Sequence, residues 1–339
     1  MPELRKDPIV GRWVIIATER ARRPGNFVSN IDKHVNSASK DCPYCQPAQN
    51  IIHKTSLNSS NSHQWDVCVV PFEGSFLTMQ QPYRRETKGL YDVANGFGAH
   101  EVVIDTPEHV SNMADLSQEQ IELILKTYIL RASELEKNRN FQYSLIYKNY
   151  GSTAGARSIG HSRSHIIATP VNPLHVKEKL RGAKEYYQSK KGCIYCDLMH
   201  QEYADKKRIV FETDHFLAIH PFAARFLFET WILPKIHHCN FAEGAKGVEA
   251  DLAYMLKIIL KKLKVGLDDP SYNFMIHTAP FYRAHIGKNR WDTIEEDYHW
   301  HIEITPRISL MAGFEKGTDF YINVVPPENT AEYLREVEI

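Results

Sequence analysis

The sequence predicts an α+β protein made of two tandem units of similar topology. Two observations point to this fold: strand-like and helix-like segments alternate along the 339 residues, and one series of landmarks occurs twice in the same order. With 43% hydrophobic and 24% charged residues, the chain can bury a core. Lys plus Arg and Asp plus Glu each number 41, and this balance argues against a nucleic-acid-binding protein.

The first unit begins with a Cys-x-x-Cys pair and continues with a strand-like run over 101–109 that ends in a proline turn. A helix follows, for which Ser117 and Gln120 form a candidate capping box. Its apolar residues recur at spacings of three and four: Ile121, Leu125, Tyr128, Ala132 and Leu135. Next come a strand over 143–147, a Gly-containing loop and the run His161-Ser-Arg-Ser-His165.

The second unit repeats this order. A second Cys-x-x-Cys pair precedes a strand-like run over 229–237, a helix that Gly266 ends, a strand over 272–276 and the run His299-Trp-His301. The charged stretch 171–191 is predicted to connect the two units. We therefore expect a first unit over 1–170 and a second over 192–339.

Both units contain residues suited to a metal ion. Tetrahedral zinc needs four nitrogen or sulfur ligands from converging segments. In a reducing cytosol a Cys-x-x-Cys pair is more often a metal ligand or redox centre than a disulfide. A thioredoxin-like role fits less well, because neither pair opens a helix after a strand. His238, beside His237, leaves that ligand ambiguous. The two candidate sets are Cys42, Cys45, His109 and His161, and Cys193, Cys196, His237 and His299.

A third pattern concerns the strands after the last histidine of each set. Alternate residues of a strand share a face, so His161, Arg163 and His165 should project together, as should His299, His301 and Glu303. An Arg-His pair near a loop that carries Asn149, Gly151 and Ser158 suits a phosphate group. The alternative is a salt-bridged strand face.

The sequence contains no apolar run long enough to span a membrane, and its N-terminus is a poor signal peptide. The expected compartment is the cytoplasm, with no membrane or nucleic-acid partner.

Several segments between about Glu3 and Val337 are together specific to one family of proteins. They are Asp7-Pro-Ile-Val-Gly-Arg-Trp, Arg20-Ala-Arg22-Arg23-Pro24, Cys42-Pro-Tyr-Cys45, Asn149-Tyr-Gly151, Arg225-Phe-Leu-Phe-Glu-Thr-Trp, His299-Trp-His301-Ile-Glu and Gly313-Phe-Glu315. In these segments the chain resembles the galactose-1-phosphate uridylyltransferases, within the histidine-triad superfamily. The resemblance implies two histidine-triad-like halves, each an antiparallel half-barrel sheet with packed helices, and a homodimer.

The resemblance also implies roles for individual residues. It implies zinc at both Cys/His sets, with iron as an alternative at the second. Arg20 and Arg23 match nucleotide-phosphate contacts, and Asn149 and Ser158 match contacts around the transferred phosphoryl group. Phe314 and Glu315 fall in the sugar-phosphate region.

The family reaction is ping-pong transfer of a nucleoside monophosphate from a nucleotide sugar to a sugar phosphate, through a nucleotidyl-histidine. The family pattern is His-x-His-x-Gln, in which the first His binds metal, the second is the nucleophile and the Gln hydrogen-bonds the phosphoryl group. This chain departs there, since Arg163 stands at the nucleophile position and His165 at the Gln position. Arginine stays protonated, so Arg163 cannot attack phosphorus.

Three hypotheses follow. The first is an active nucleotidyltransferase that acts on a nucleotide sugar or nucleoside triphosphate and a sugar phosphate. In it His165 is nucleophile or acid/base and Arg163 stabilises phosphoryl charge, or transfer runs directly from donor to acceptor. The second is a non-catalytic nucleotide or sugar-phosphate binder. The third is a lyase, hydrolase or phosphorylase on the same scaffold, with His301 and Glu303 contributing.

Overall fold

The structure, a computed structural model, describes residues 2–19, 42–45, 50–56, 65–156, 160–281, 291–309 and 311–339. These residues form fifteen strands and eight helices. The strands are β1 (Glu3–Lys6), β2 (Trp13–Ile16), β3 (His53–Thr55), β4 (Val67–Pro71), β5 (Arg85–Lys88), β6 (Tyr91–Ala94), β7 (Ala99–Ile104), β8 (Tyr143–Tyr150), β9 (Arg163–Thr169), β10 (Ile209–Glu212), β11 (Phe216–Ile219), β12 (Thr230–Pro234), β13 (Tyr272–His277), β14 (His301–Pro306) and β15 (Tyr321–Asn323). The helices are α1 (Gln118–Glu136), α2 (Leu174–Lys190), α3 (Ile194–Asp205), α4 (Phe241–Gly244), α5 (Glu249–Gly266), α6 (Ile294–Asp297), α7 (Gly313–Thr318) and α8 (Pro327–Glu336).

Ten strands form one antiparallel sheet that both units share. β8 and β13 pair at its centre, with Ile146 opposite Ile276 and Tyr150 opposite Tyr272. From that centre the order β8-β9-β7-β4-β3 on one side is matched by β13-β14-β12-β11-β10 on the other. Each strand of the first half thus has a counterpart in the second, related by a pseudo-twofold axis between β8 and β13. The predicted α+β fold of two similar, antiparallel units is confirmed.

Helices α1 and α5 cover this sheet, and they occur at equivalent places in the two units. α1 lies between β7 and β8 in the chain, α5 lies between β12 and β13, and the two helices pack against each other. The predicted apolar stripe of α1 is buried in a core that continues into α5. Burying each large aliphatic side chain contributes about 1.5–3 kcal/mol, so the helices hold the two half-sheets together.

The start of α1 differs in part from the predicted capping box. Ser117 caps the helix by accepting a hydrogen bond from the Gln120 backbone N–H at 3.1 Å. The Gln120 side chain does not return to the cap. It donates instead to the carbonyls of Asp66 and Asp105, at 2.8 and 2.6 Å, and so ties α1 to the ends of β4 and β7.

The remaining elements surround the central sheet. β1, β2 and β15 form a small sheet that joins the two ends of the described chain, and β5 pairs with β6 in a hairpin. Most of the charged stretch 171–191 folds as α2, whose buried residues Val176, Leu180 and Ala183 pack in a second core. None of the helices in the described ranges combines the length and apolar character that crossing a membrane demands.

Candidate active site and metal centres

The first group of cysteine and histidine side chains joins three segments of the first unit. Cys42 and Cys45 lie in one turn, His109 follows β7, and His161 precedes β9. The Cys45 Sγ lies 3.2 Å from His109 Nδ1 and 3.6 Å from His161 Nδ1. The Cys42 Sγ lies 3.5 Å from His161 Nδ1. All four donor atoms fall within 4.8 Å of one another.

The second group repeats this arrangement across the pseudo-twofold axis. Cys193 occupies the N-cap position of α3, Cys196 lies in the first turn of that helix, His237 follows β12 and His299 precedes β14. The Cys196 Sγ lies 3.4 Å from His237 Nδ1 and 3.6 Å from His299 Nδ1. The four donor atoms again converge within 4.8 Å. His238 turns away and accepts a hydrogen bond from the Asn240 N–H, so the geometry selects His237.

Three of the four histidines, His161, His237 and His299, are oriented by backbone carbonyls, as metal-binding histidines usually are, whereas the buried Nε2 of His109 has no hydrogen-bond partner among the described residues. His161 Nε2 donates to the Thr106 carbonyl at 2.9 Å, His237 Nε2 donates to the Glu295 carbonyl at 2.8 Å, and His299 Nε2 donates to the Pro234 carbonyl at 2.9 Å. Each Nδ1 is then left as a lone-pair donor that faces the thiols. Two thiolates and two neutral imidazole nitrogens are a donor set that suits structural zinc.

Arg163 is the first residue of β9 and is fixed by its surroundings. Its Nη1 donates to the His161 carbonyl at 3.1 Å, and its Nη2 donates to the Ala156 carbonyl at 2.7 Å. The guanidinium carbon lies 5.1 Å from the centre of the Tyr44 ring, at the turn that carries the first cysteine pair. These contacts place a rigid positive charge beside the first Cys/His group, and a phosphoryl group is stabilised by such a charge.

His165 lies two residues further along β9, within a cluster of rings. Its Nδ1 is 3.1 Å from Nε2 of His100 on β7, and its ring stacks on Tyr147 of β8 with centroids 5.1 Å apart. The Phe72 ring contacts both histidines. Burial lowers the pKa of His165 to about 3 and that of His100 to about 4. Both imidazoles are therefore neutral at pH 7.

A buried polar network supports β9 from its other face. Lys148 on β8 donates to the Asp105 carboxylate at 2.5 Å, to Ser162 Oγ at 2.9 Å and to the Arg163 carbonyl at 2.9 Å. Ser162 and Ser164 each donate to Asp105 as well, at 2.7 and 3.2 Å. The serines on either side of Arg163 are thus anchored inward, which leaves Arg163 and His165 on the opposite face.

A cavity of about 330 Å³ opens beside these two residues. Tyr44 and Phe72 line it, and they also contact Arg163 and His165. Its other lining residues are largely apolar, apart from Glu73 and Asn50 at the rim. Aromatic and aliphatic walls of this kind fit the flat face of a nucleobase.

The other predicted site residues are distributed unevenly. Asn149 lies on β8, and continuing the Tyr147–His165 register by one pleat places it opposite Arg163. Its Oδ1 accepts from Asn273 at 2.7 Å. Phe314 and Glu315 lie on α7, where Phe314 stacks on Phe320 and Glu315 accepts from the Ala312 and Ile322 N–H groups. Arg20, Arg23 and Ser158 lie outside the described residues.

The equivalent place in the second unit is closed. His301 and Glu303 on β14 are fully buried. Lys179 of α2 donates to both, with its Nζ 2.5 Å from Glu303 Oε1 and 2.9 Å from His301 Nε2. Arg225 donates to the other carboxylate oxygen at 2.8 Å, and His277 Nε2 lies 3.2 Å from that oxygen. His277, His301 and Glu303 could also hold a cation, but the ammonium of Lys179 already lies among them.

Sequence reasoning missed His100, Tyr147 and the Asp105–Lys148 pair. The alternation of β7 places His100, Val102 and Ile104 on one face, but only the pairing of β7 with β9 shows that His100 meets His165. The available signals were Asp105 directly after the apolar run 102–104 and Lys148 within β8, since buried charges are usually paired.

Comparison with known proteins points to one family. The model for the N-terminal domain of galactose-1-phosphate uridyl transferase matches residues 1–173, and the model for its C-terminal domain matches residues 179–310. The Arabidopsis thaliana ADP-glucose phosphorylase is 34% identical, across all of this chain and 93% of its own length. The Thermotoga maritima galactose-1-phosphate uridylyltransferase is 28% identical, across all of this chain and 99% of its own.

Solved structures agree with these sequence matches. The crystal structure of an Arabidopsis thaliana ADP-glucose phosphorylase with bound ADP-glucose superposes with a TM-score of 0.81 at 33% identity, and both chains are covered completely. A uridylyltransferase structure superposes with a TM-score of 0.74 at 28% identity, over 99% of this chain and 97% of its own.

Proposed function

Because this chain belongs to the galactose-1-phosphate uridylyltransferase family, we propose that it transfers a nucleoside monophosphate group from a nucleotide sugar to a phosphorylated acceptor. The observation that carries the proposal is the pairing of a fixed guanidinium, Arg163, with a neutral imidazole, His165, against two aromatic rings that line a cavity. Phosphoryl transfer depends on positioned positive charge and hydrogen-bond donors more than on covalent chemistry by the protein.

The proposed roles follow from the chemistry of each side chain. Arg163 stabilises the charge on the transferred phosphoryl group, His165 lies beside it, and Asn149 completes the polar surround. The cavity lined by Tyr44 and Phe72 receives the base. Zinc bound by the two Cys/His groups would cross-link each Cys-x-x-Cys pair to the strands beside its histidines, and in the first unit these strands, β7 and β9, carry the site.

Several further expectations belong to this proposal. Arg20, Arg23 and Ser158 would contact phosphate groups, and Phe314 and Glu315 would contact the sugar phosphate. The protein would act as a cytoplasmic homodimer. The second metal site would hold zinc, with iron as the alternative.

The preferred acceptor is inorganic phosphate. The 34% identical Arabidopsis relative is an ADP-glucose phosphorylase, and a solved relative contains ADP-glucose. In phosphorolysis, an oxygen of inorganic phosphate bonds to the α-phosphorus and the sugar 1-phosphate leaves with the bridging oxygen. ADP-glucose would give ADP and glucose 1-phosphate. A sugar 1-phosphate acceptor is the second candidate, since the Thermotoga relative is a galactose-1-phosphate uridylyltransferase.

Phosphorus NMR tests the proposal. The protein is incubated with ADP-glucose or UDP-glucose and either inorganic phosphate or galactose 1-phosphate, and we expect nucleoside diphosphate or an exchanged nucleotide sugar to appear. Arg163→Gln should lower kcat by about 100-fold or more, because it removes a charge at the reacting group. Arg181→Gln on the exposed face of α2 is the matched control and should leave kcat unchanged. Binding of nucleotide sugars without turnover of any of them would identify a binding protein instead.

A further inference from the structure

The hydrogen bond between His100 and His165 constrains the chemistry of His165. His100 Nε2 and His165 Nδ1 lie 3.1 Å apart, and both side chains are more than nine-tenths buried. Nδ1 of His100 is also buried and has no hydrogen-bond partner within the described part of the chain. The His100 ring packs against Phe72 and Phe76, whose ring centroids lie 4.5 and 5.5 Å from that of His100.

Only two proton arrangements satisfy this hydrogen bond between neutral rings. In the first, His165 Nδ1–H donates to His100, and His100 must carry its own proton on Nδ1. In the second, His100 Nε2–H donates to His165, and Nδ1 of His100 is a bare lone pair. The first arrangement buries an N–H against phenyl rings with no acceptor, and orphaned buried N–H groups are rare in proteins. The second avoids this.

The outward nitrogen of His165 supports the same choice. In the first arrangement Nε2 presents a lone pair to the site, and in the second it presents an N–H. A phosphoryl group at neutral pH offers mainly acceptor oxygens, so it is matched by a donor. The Arg163 guanidinium two residues away is likewise a donor, and the two side chains then offer the same kind of contact.

We propose that His100 is a positioning residue that holds His165 as a neutral donor, with Nε2–H directed to the transferred phosphoryl group, so that the nucleotidyl group passes directly from donor to acceptor. This inference rests on the proposed function. Burial holds the pKa of both rings far below 7, which keeps the pair neutral at working pH. With Nδ1 engaged and Nε2 protonated, His165 has no lone pair with which to attack phosphorus, and Arg163 has none either.

The direct step balances without a covalent intermediate. A phosphate oxygen of the acceptor forms the new bond to the α-phosphorus as the bond to the bridging oxygen breaks, and that electron pair leaves with the sugar phosphate. The acceptor oxygen is already anionic near pH 7, so the step needs no general base. One in-line displacement inverts the configuration at the α-phosphorus, whereas two displacements through a nucleotidyl-histidine would retain it.

Nitrogen NMR of histidine-labelled protein tests the tautomer without requiring activity. We expect a bare, pyridine-type Nδ1 and a protonated, pyrrole-type Nε2 for His165, assigned by comparison with His165→Gln. His100→Gln keeps an N–H donor and should preserve this pattern, whereas His100→Phe keeps the ring packing but removes the donor and should mix the tautomers. A protonated His165 Nδ1 in the unmodified protein would overturn the proposal.

Kinetics and stereochemistry test the direct step. His100→Phe should lower kcat about tenfold with KM changed less than twofold, and His100→Gln should restore most of kcat, which a role in packing alone would not produce. An α-thio nucleotide sugar chiral at phosphorus should react with inversion. Retention, or radiolabel from an α-labelled nucleotide sugar trapped on His165, would overturn direct transfer while leaving nucleotidyl transfer intact. If no nucleotide sugar is consumed, the proposed function fails, and the nitrogen spectrum still decides the tautomer.

Discussion

Replacing Asp105 by Asn is expected to lower the free energy of unfolding by about 3–5 kcal/mol, because it leaves a buried ammonium without its counter-ion. Lys148 is 1% exposed, and its Nζ lies 2.5 Å from the carboxylate of Asp105, which is fully buried. In Asp105→Asn the ammonium keeps Ser162 Oγ and the Arg163 carbonyl as acceptors, but both are uncharged. Since Ser162 and Ser164 would lose their charged acceptor, the strand segment that carries Arg163 should be held less firmly, and kcat should fall.

Urea unfolding of Asp105→Asn, Lys148→Met and the double variant measures this effect. The double variant removes both charges together, so its loss should be smaller than the sum of the single losses by about 2–3 kcal/mol. Asp92→Asn is the matched control: Asp92 pairs with Arg85 at 2.6 Å, but both side chains are about half exposed, so solvent screens the pair and the loss should be far smaller than for Asp105→Asn. If Asp105→Asn cost no more than Asp92→Asn, or if the single losses were additive, the account of the network would be refuted.

Two further predictions concern metal and pH. Cys42→Ser and Cys193→Ser should each lower the metal content, measured by plasma mass spectrometry, by about half from ~two ions per chain. Cys68 is a buried thiol outside both groups, so Cys68→Ala should leave the metal content unchanged. Full metal content in both serine variants would contradict the ligand assignment. Burial lowers the pKa of His220 from 6.5 to about 3, so the contribution of the neutral ring to stability is complete above pH 6.5 and is lost as the pH falls toward 3. Between pH 6.5 and pH 5, His220→Gln should therefore lose about 2 kcal/mol less of its free energy of unfolding than the unmodified protein, measured by urea titration. Parallel pH profiles of stability for the two proteins would exclude this role of His220.

The convergence of the two Cys/His groups could be predicted from sequence because the duplication provides an internal check. One Cys-x-x-Cys pair alone is compatible with several functions, but two pairs that are each followed by histidines in the same order favour metal binding. The structure brings both sets within 4.8 Å and selects His237 over His238. It was also predictable that Arg163 and His165 lie on the same face of their strand, since this follows from the alternation of side chains along one strand.

The partners of those residues were not predictable, because they depend on pairings between strands. His100 meets His165 only through the register of β7 against β9, in which Val102 lies opposite His165. Lys148 and Asp105 come from different strands and meet on the opposite face of β9. Nothing in one sequence fixes such registers, which turn geometry and the packing of α1 together determine.

The pseudo-twofold symmetry also decides which unit carries the proposed chemistry. Both units place a Cys/His group before the strand, but they differ at the next alternate positions, where the first has Arg163 and His165 and the second has His301 and Glu303. The first pair adjoins a cavity, whereas Lys179 fills the space beside the second pair. The ammonium of Lys179 is already paired with the Glu303 carboxylate, so it is not available to bind a phosphate, and the fully buried imidazole of His301 cannot reach one. On this proposal the second unit supports the first, because β13 pairs with β8, and β8 carries Tyr147 and Asn149 on the face of the site and Lys148 on the opposite face.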